Sequence, residues 1–203
     1  MSQVADRFFR WYRSRSTRED FLQQADFLAQ RGILLEHPTF KTGVVLNIDG
    51  DDVRLTPVEI ARLIDLKLAA VNVKFWFSAD ADLSCKFSWI PLGMEVQMYH
   101  LENLTSAHAA TTQSALTEYR REEGPTTFGY VLDRDGRSAE FDWDLFYDGL
   151  SLGAVPAVEV WPDVLAIRGT VEQIRQTLDI PASVRVATAC EATGAALVEI
   201  TRL

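Results

Sequence analysis

Residues 71–101 read VNVKFWFSADADLSCKFSWIPLGMEVQMYHL. Three segments, Val71 to Ser78, Leu83 to Ile90 and Met94 to Leu101, are rich in aromatic and β-branched residues. The turn-formers Ala79-Asp80-Ala81-Asp82 and Pro91-Leu92-Gly93 separate them. Connections this short join antiparallel neighbours, because a parallel crossover needs a dozen residues or more.

Upstream, Val44 to Ile48 and Val53 to Leu55 flank an Asp-Gly turn at 49–52 and read as a hairpin. Thr56-Pro57-Val58-Glu59 is a capping box with proline at the first helical position, and it opens a helix to about Ala69. Downstream, Thr105 opens a helix to about Glu123, with Gly124-Pro125 as its stop. Thr127 to Leu132 and Arg137 to Asp144 read as a hairpin around Asp133-Arg134-Asp135-Gly136. Phe146 to Pro156 reads as a loop. Val158 to Trp161 and Val164 to Arg168 read as another hairpin, and Thr170 with Gln173 caps a last helix to Leu178. Val184 to Cys190 and Ala196 to Thr201 close the chain around Thr193-Gly194.

The N-terminal region reads as helical. Phe8, Trp11 and Tyr12 fall at i, i+3, i+4, with Arg7, Arg10 and Arg13 around another face. Ser16 with Glu19 reads as the capping box of a second helix, which carries Phe21, Leu22, Ala25, Leu28 and Ala29 as its apolar stripe.

Helix and hairpin recur without strict strand-helix-strand alternation, which excludes a parallel doubly wound sheet. The class is α+β: an antiparallel or mixed multi-hairpin sheet with helices packed on one face. Residues 1–40 are expected to be a helical appendage and 41–203 the α+β domain. Ser84-Cys85-Lys86-Phe87-Ser88-Trp89 aligns with Ser138-Ala139-Glu140-Phe141-Asp142-Trp143. That similarity admits two pseudo-repeated halves, 56–104 and 105–168, but chance or shared strand composition is the preferred reading.

The chain has 203 residues and a net charge of −9. Within 1–18, five arginines (Arg7, Arg10, Arg13, Arg15, Arg18) stand against Asp6, a net +4, so the remainder carries −13. An acidic body repels phosphate backbones, so nucleic acid is not an expected partner. No run of 18 apolar residues occurs, and the arginines interrupt any leader-like apolar stretch, so neither a membrane span nor a signal peptide is expected. Cys85 and Cys190 without a C-x-x-C pattern suit reduced thiols in the cytoplasm.

Glu140, Asp142 and Asp144 alternate with Phe141, Trp143 and Leu145. On a strand, period two places the three carboxylates on one face, roughly 6.5–7 Å apart. The plain reading is a polar face turned to water. Like charges side by side cost stability unless something uses them, which favours a docking face for a basic protein over catalysis. The expected binding residues are Glu140, Asp142, Asp144 and Trp143, with Asp133 and Asp135 from the preceding turn. Arg7, Phe8, Arg10, Trp11 and Tyr12 either pack on the chain's own body or form an interface, including that of a homodimer.

Asn47-x-Asp49-x-Asp51 starts like a calcium loop, but Asp52 replaces the required glycine and Val58 the final glutamate. His37, His100 and His108 match no zinc spacing, and no standard catalytic motif occurs. No cofactor or metal is expected. The function implied is a non-enzymatic module binding a basic partner, of the immunity, adaptor or chaperone kind. The alternative is a small hydrolase or metal-dependent enzyme using the 140–144 carboxylates with a histidine.

Overall fold

The computed structural model describes residues 6–122, 126–192 and 195–203. The expected turn at Thr193-Gly194 and helix stop at Gly124-Pro125 lie outside them. The elements in chain order are β1 (Phe8–Ser14), α1 (Arg18–Ala29), β2 (Gly43–Leu46), β3 (Asp52–Leu55), α2 (Pro57–Leu66), β4 (Val71–Ser78), β5 (Ala81–Trp89) and β6 (Met94–His100). Then come α3 (Ser106–Glu122), β7 (Thr127–Asp133), α4 (Trp143–Leu152), β8 (Val164–Arg168), α5 (Val171–Thr177), β9 (Val184–Ala192) and β10 (Ala195–Arg202). The strands form one sheet in the order β3-β2-β4-β5-β6-β1-β7-β8-β10-β9, and every pair is antiparallel.

The α+β class is therefore as read, and the 71–101 meander is in place. The N-terminal segment is corrected: residues 8–14 are not a helix but the strand between β6 and β7, integral to the sheet. Its two faces explain why. Phe9, Trp11 and Arg13 point one way, Phe8, Arg10 and Tyr12 the other, and the four aromatic side chains are all buried. A fully buried aromatic contributes roughly 1.5–3 kcal/mol, whereas helix propensities among ordinary residues differ by less than about 0.7 kcal/mol. A helix buries one stripe of this segment, but a central strand buries both sides, so packing decides.

Two cores result, one on each side of the sheet. Phe9 and Trp11 join Phe21 and Leu28 of α1, Ile60 and Ile64 of α2, Leu116 and Tyr119 of α3, and the inner residues of β4 and β5. Phe8 and Tyr12 join Trp143, Phe146 and Tyr147 of α4, Ile174 of α5, and the inner residues of β7, β8 and β10. Helices thus pack on one face within each half, and the halves use opposite faces. The segments aligned above also fold differently: Ser84 to Trp89 lie in β5, whereas Ser138 to Glu140 form a turn leading into α4.

A buried polar network fixes α1 and β1 over β6. Glu95 stands opposite Arg13 in the register, and both are buried. The Glu95 carboxylate accepts from the Ser16 backbone N–H at 2.9 Å, the Ser16 hydroxyl at 2.8 Å and the Gln97 amide at 2.8 Å. Gln24 of α1 donates to the Gln97 carbonyl oxygen at 2.7 Å. Ser16 is thus occupied by Glu95, and the capping box of α1 is Thr17 with Asp20, one residue later than read. Cys85 sits under this network, and burial pushes its thiol well up, away from the reactive thiolate. The Cys190 side chain lies outside those described.

Candidate functional site

Residues 137–144 are not a strand, which changes the geometry of the proposed acidic face. Asp133, at the end of β7, is buried and accepts from the Ser138 backbone N–H and hydroxyl, both at 2.6 Å. That staple folds 134–140 into a turn, and Asp142 then starts a helix by accepting from the Leu145 N–H at 2.9 Å. The alternation that reads as a strand is the sum of a turn, a cap and the first residues of α4.

The residues expected to bind therefore have distinct fates. Trp143 belongs to the core, its indole N–H donating to the Ser138 carbonyl at 3.1 Å. Asp133 is consumed inside the turn, and Asp135 pairs with Arg137 and Arg202. Asp144 accepts from the Tyr12 hydroxyl at 2.7 Å and lies 3.6 Å from the Arg10 guanidinium. Burial pushes the Tyr12 phenol well up; Arg10 opposes this and Asp144 adds to it, so Tyr12 stays a neutral donor. Glu140 and Asp142 remain at the surface.

Phe8, Trp11 and Tyr12, read as interface residues, are buried in this fold and offer no surface. Arg10 turns to Asp144, and Arg7 donates to the Glu102 backbone carbonyl at 2.6 Å. This segment packs on the chain's own body.

The surface that emerges is the outer side of α4. Trp143, Phe146 and Tyr147 point inward, while Leu145 and Leu152, two turns apart, point outward. Leu145 is 56% and Leu152 70% exposed. Glu140 and Asp142 are exposed at the helix start and Glu159 in the following loop, while Asp144 is held by Tyr12 and Arg10 and one Asp148 carboxylate oxygen is buried. Beside the helix, Leu145, Gly153 to Pro156 and Thr177 line an open groove of about 810 Å³. The sequence reading puts Leu145 on the apolar side of a strand and Leu152 in the 146–156 loop, so neither leucine was expected at an interface. The missed signal was Asp142 as a cap followed by Trp143, Phe146, Tyr147 and Leu150 at helical spacing. Gly149 masked it: a Cβ there would lie 2.6 Å from the Ala154 carbonyl oxygen, so close loop packing explains a mid-helix glycine.

The histidines are engaged elsewhere. The ring of His37 accepts from the Thr39 N–H at 3.0 Å, His100 lies 3.3 Å from Glu102, and His108 stacks on Phe77 at 4.1 Å. Among the described residues no hydrogen bond or ion pair joins a histidine to Glu140, Asp142 or Asp144, and no three His, Cys, Asp or Glu side chains converge as a metal-binding group. Among them, too, no helix is long and apolar enough to cross a membrane. Comparison with models of known protein families, with curated proteins and with solved structures finds no match.

Proposed function

We propose that the protein is a non-enzymatic binding module that engages a basic protein partner through the outer side of α4 and the adjoining 153–160 loop. The observation that supports this is the pairing of two exposed leucines, Leu145 and Leu152, with the exposed carboxylates of Glu140, Asp142 and Glu159 flanking the helix, beside an open groove. An amphipathic helix needs no leucine on its water side for folding. Apolar anchors ringed by charge of one sign are the composition of an interface core and rim. The net charge of −9 selects a cationic partner and speeds encounter with it. An immunity, adaptor or chaperone role fits such a surface.

The test is affinity capture from the native cytosol by wild type and by two variants, Leu145→Asp and the double variant Glu140→Lys with Glu159→Lys. Both leave the Asp142 cap and the Tyr12–Asp144 bond intact. The expected result is one stoichiometric basic protein held by wild type, released by added salt and lost from both variants. Capture of no stoichiometric partner, or the same partner held equally by all three, contradicts the reading.

A further inference from the structure

A cleft of about 280 Å³ lies on the other side of the molecule, lined by Arg7, Leu101, Ser106, Ala109, Ala110, Gln113 and Arg134. It is walled by two guanidinium groups, Arg7 just before β1 and Arg134 just after β7. Neither has a carboxylate within ion-pair distance among the described residues, in a chain with 29 acids against 20 bases. Arg10, Arg18, Arg31, Arg137 and Arg202 all have one.

Both guanidiniums are held in place by neutral acceptors. Arg7 donates one N–H to the Glu102 backbone carbonyl at 2.6 Å, and its own carbonyl accepts from the Leu101 N–H at 2.8 Å. The Arg134 Nε donates to the Gln113 side-chain oxygen at 3.2 Å, and its backbone N–H donates to the Asp163 carboxylate at 2.5 Å. A guanidinium carries five donors in a fixed fork, so each has donors left for a ligand. Between the two heads the lining is apolar, Leu101 with Ala109 and Ala110.

We propose that this cleft binds a small organic anion, its phosphate or carboxylate head held between Arg7 and Arg134 and its short apolar body against Leu101, Ala109 and Ala110. Charge-assisted hydrogen bonds from two forks supply the recognition. The chain's net negative charge does not prevent this: at physiological ionic strength charges more than about 8 Å away are largely screened, and of the nearby carboxylates Asp163 is paired with Arg202 and Glu102 lies beside His100. The assignment is independent of the α4 surface, which lies against the opposite face of the sheet.

The probes are phenyl phosphate, inorganic phosphate and phenol, titrated into the full chain by calorimetry and by amide NMR shifts. Phenyl phosphate is expected to saturate at about 1 mM or tighter, moving the amides of Leu101 and of Ser106 to Gln113. Inorganic phosphate is expected to bind more weakly and phenol not at all. Arg7→Gln and Arg134→Gln are each expected to weaken phenyl phosphate about tenfold, the loss of one charge-assisted hydrogen bond. Ala110→Gln fills the cleft from an exposed helix position with both arginines intact, and is expected to abolish binding even if Arg7→Gln fails to fold. No saturation by phenyl phosphate, equal affinity for inorganic phosphate or phenol, or binding indifferent to Arg134→Gln and Ala110→Gln overturns the proposal.

Discussion

The half built on β2 to β6 and the half built on β7 to β10 use the same sheet in opposite ways. The first is roofed by α1, α2 and α3 on one face, the second by α4 and α5 on the other. The first adds a buried polar network around Glu95 to its aromatic contacts, while the second is packed around the Tyr12, Trp143, Phe146 and Tyr147 rings. There the Tyr12 and Tyr147 rings lie 3.8 Å apart, and the Tyr147 hydroxyl reaches across to the Ala166 carbonyl at 2.6 Å. Gly129 makes this crossing fit, since a Cβ there would lie 2.6 Å from the Tyr147 ring. The difference teaches what β1 does. Phe9 and Trp11 enter one core and Phe8 and Tyr12 the other, so β1 ties the two cores together through large aromatics on both of its sides.

The strongest way to break that coupling is Trp11→Ala. The side chain is fully buried and its indole N–H bonds Thr127 at 3.1 Å. A loss of about 3–5 kcal/mol is expected in urea unfolding, with both halves melting together. Loss confined to the first half would show that β1 does not couple them.

Glu95→Ala is expected to cost about 1–3 kcal/mol, because it leaves the buried Ser16 and Gln97 donors without their acceptor. Global unfolding checks it, and a loss below about 1 kcal/mol would remove the network from the account.

These two sites also show what the sequence concealed. The 71–101 meander, the Thr56 and Thr170 caps and the helix over 106–122 were legible, because turn and capping chemistry is local. The segment at 8–14 was not. Its partners are residues 94–100 and 127–133, and a strand buried on both faces shows no alternation to betray it. The 137–144 segment failed for the opposite reason: its alternation was real, but the Asp133 staple and the Asp142 cap overrode it. Of the candidate site, Glu140 and Asp142 were legible as exposed acids. The leucines of α4 were not, because a glycine needed for loop packing broke the helical pattern.

Tyr147→Phe removes one hydroxyl from the second half and keeps the ring stack. A loss of about 1–2 kcal/mol is expected by denaturant unfolding. Because the two halves unfold together, the best-protected amides of β5 are expected to lose the same free energy as those of β8.

The smallest effect lies at the surface of the first half. The hydrogen bonds from the Thr56 backbone and hydroxyl hold the Glu59 carboxyl below the ordinary glutamate range. Its contribution is present above the ordinary glutamate pKa and is lost as pH falls through the lowered folded value. The stability difference between wild type and Glu59→Ala is therefore expected to shrink on acidification through the carboxylate range. A difference constant with pH would contradict the capping role.

Amide hydrogen exchange of Phe8 to Ser14 under native conditions tests the role of β1 most directly. If β1 is the shared centre of the sheet, these amides exchange only through global unfolding, with the same free energy as the best-protected amides of β5 and β8. Exchange of Phe8 to Ser14 at markedly lower free energy, with β5 and β8 still protected, would mean that the strand detaches on its own and would contradict the account.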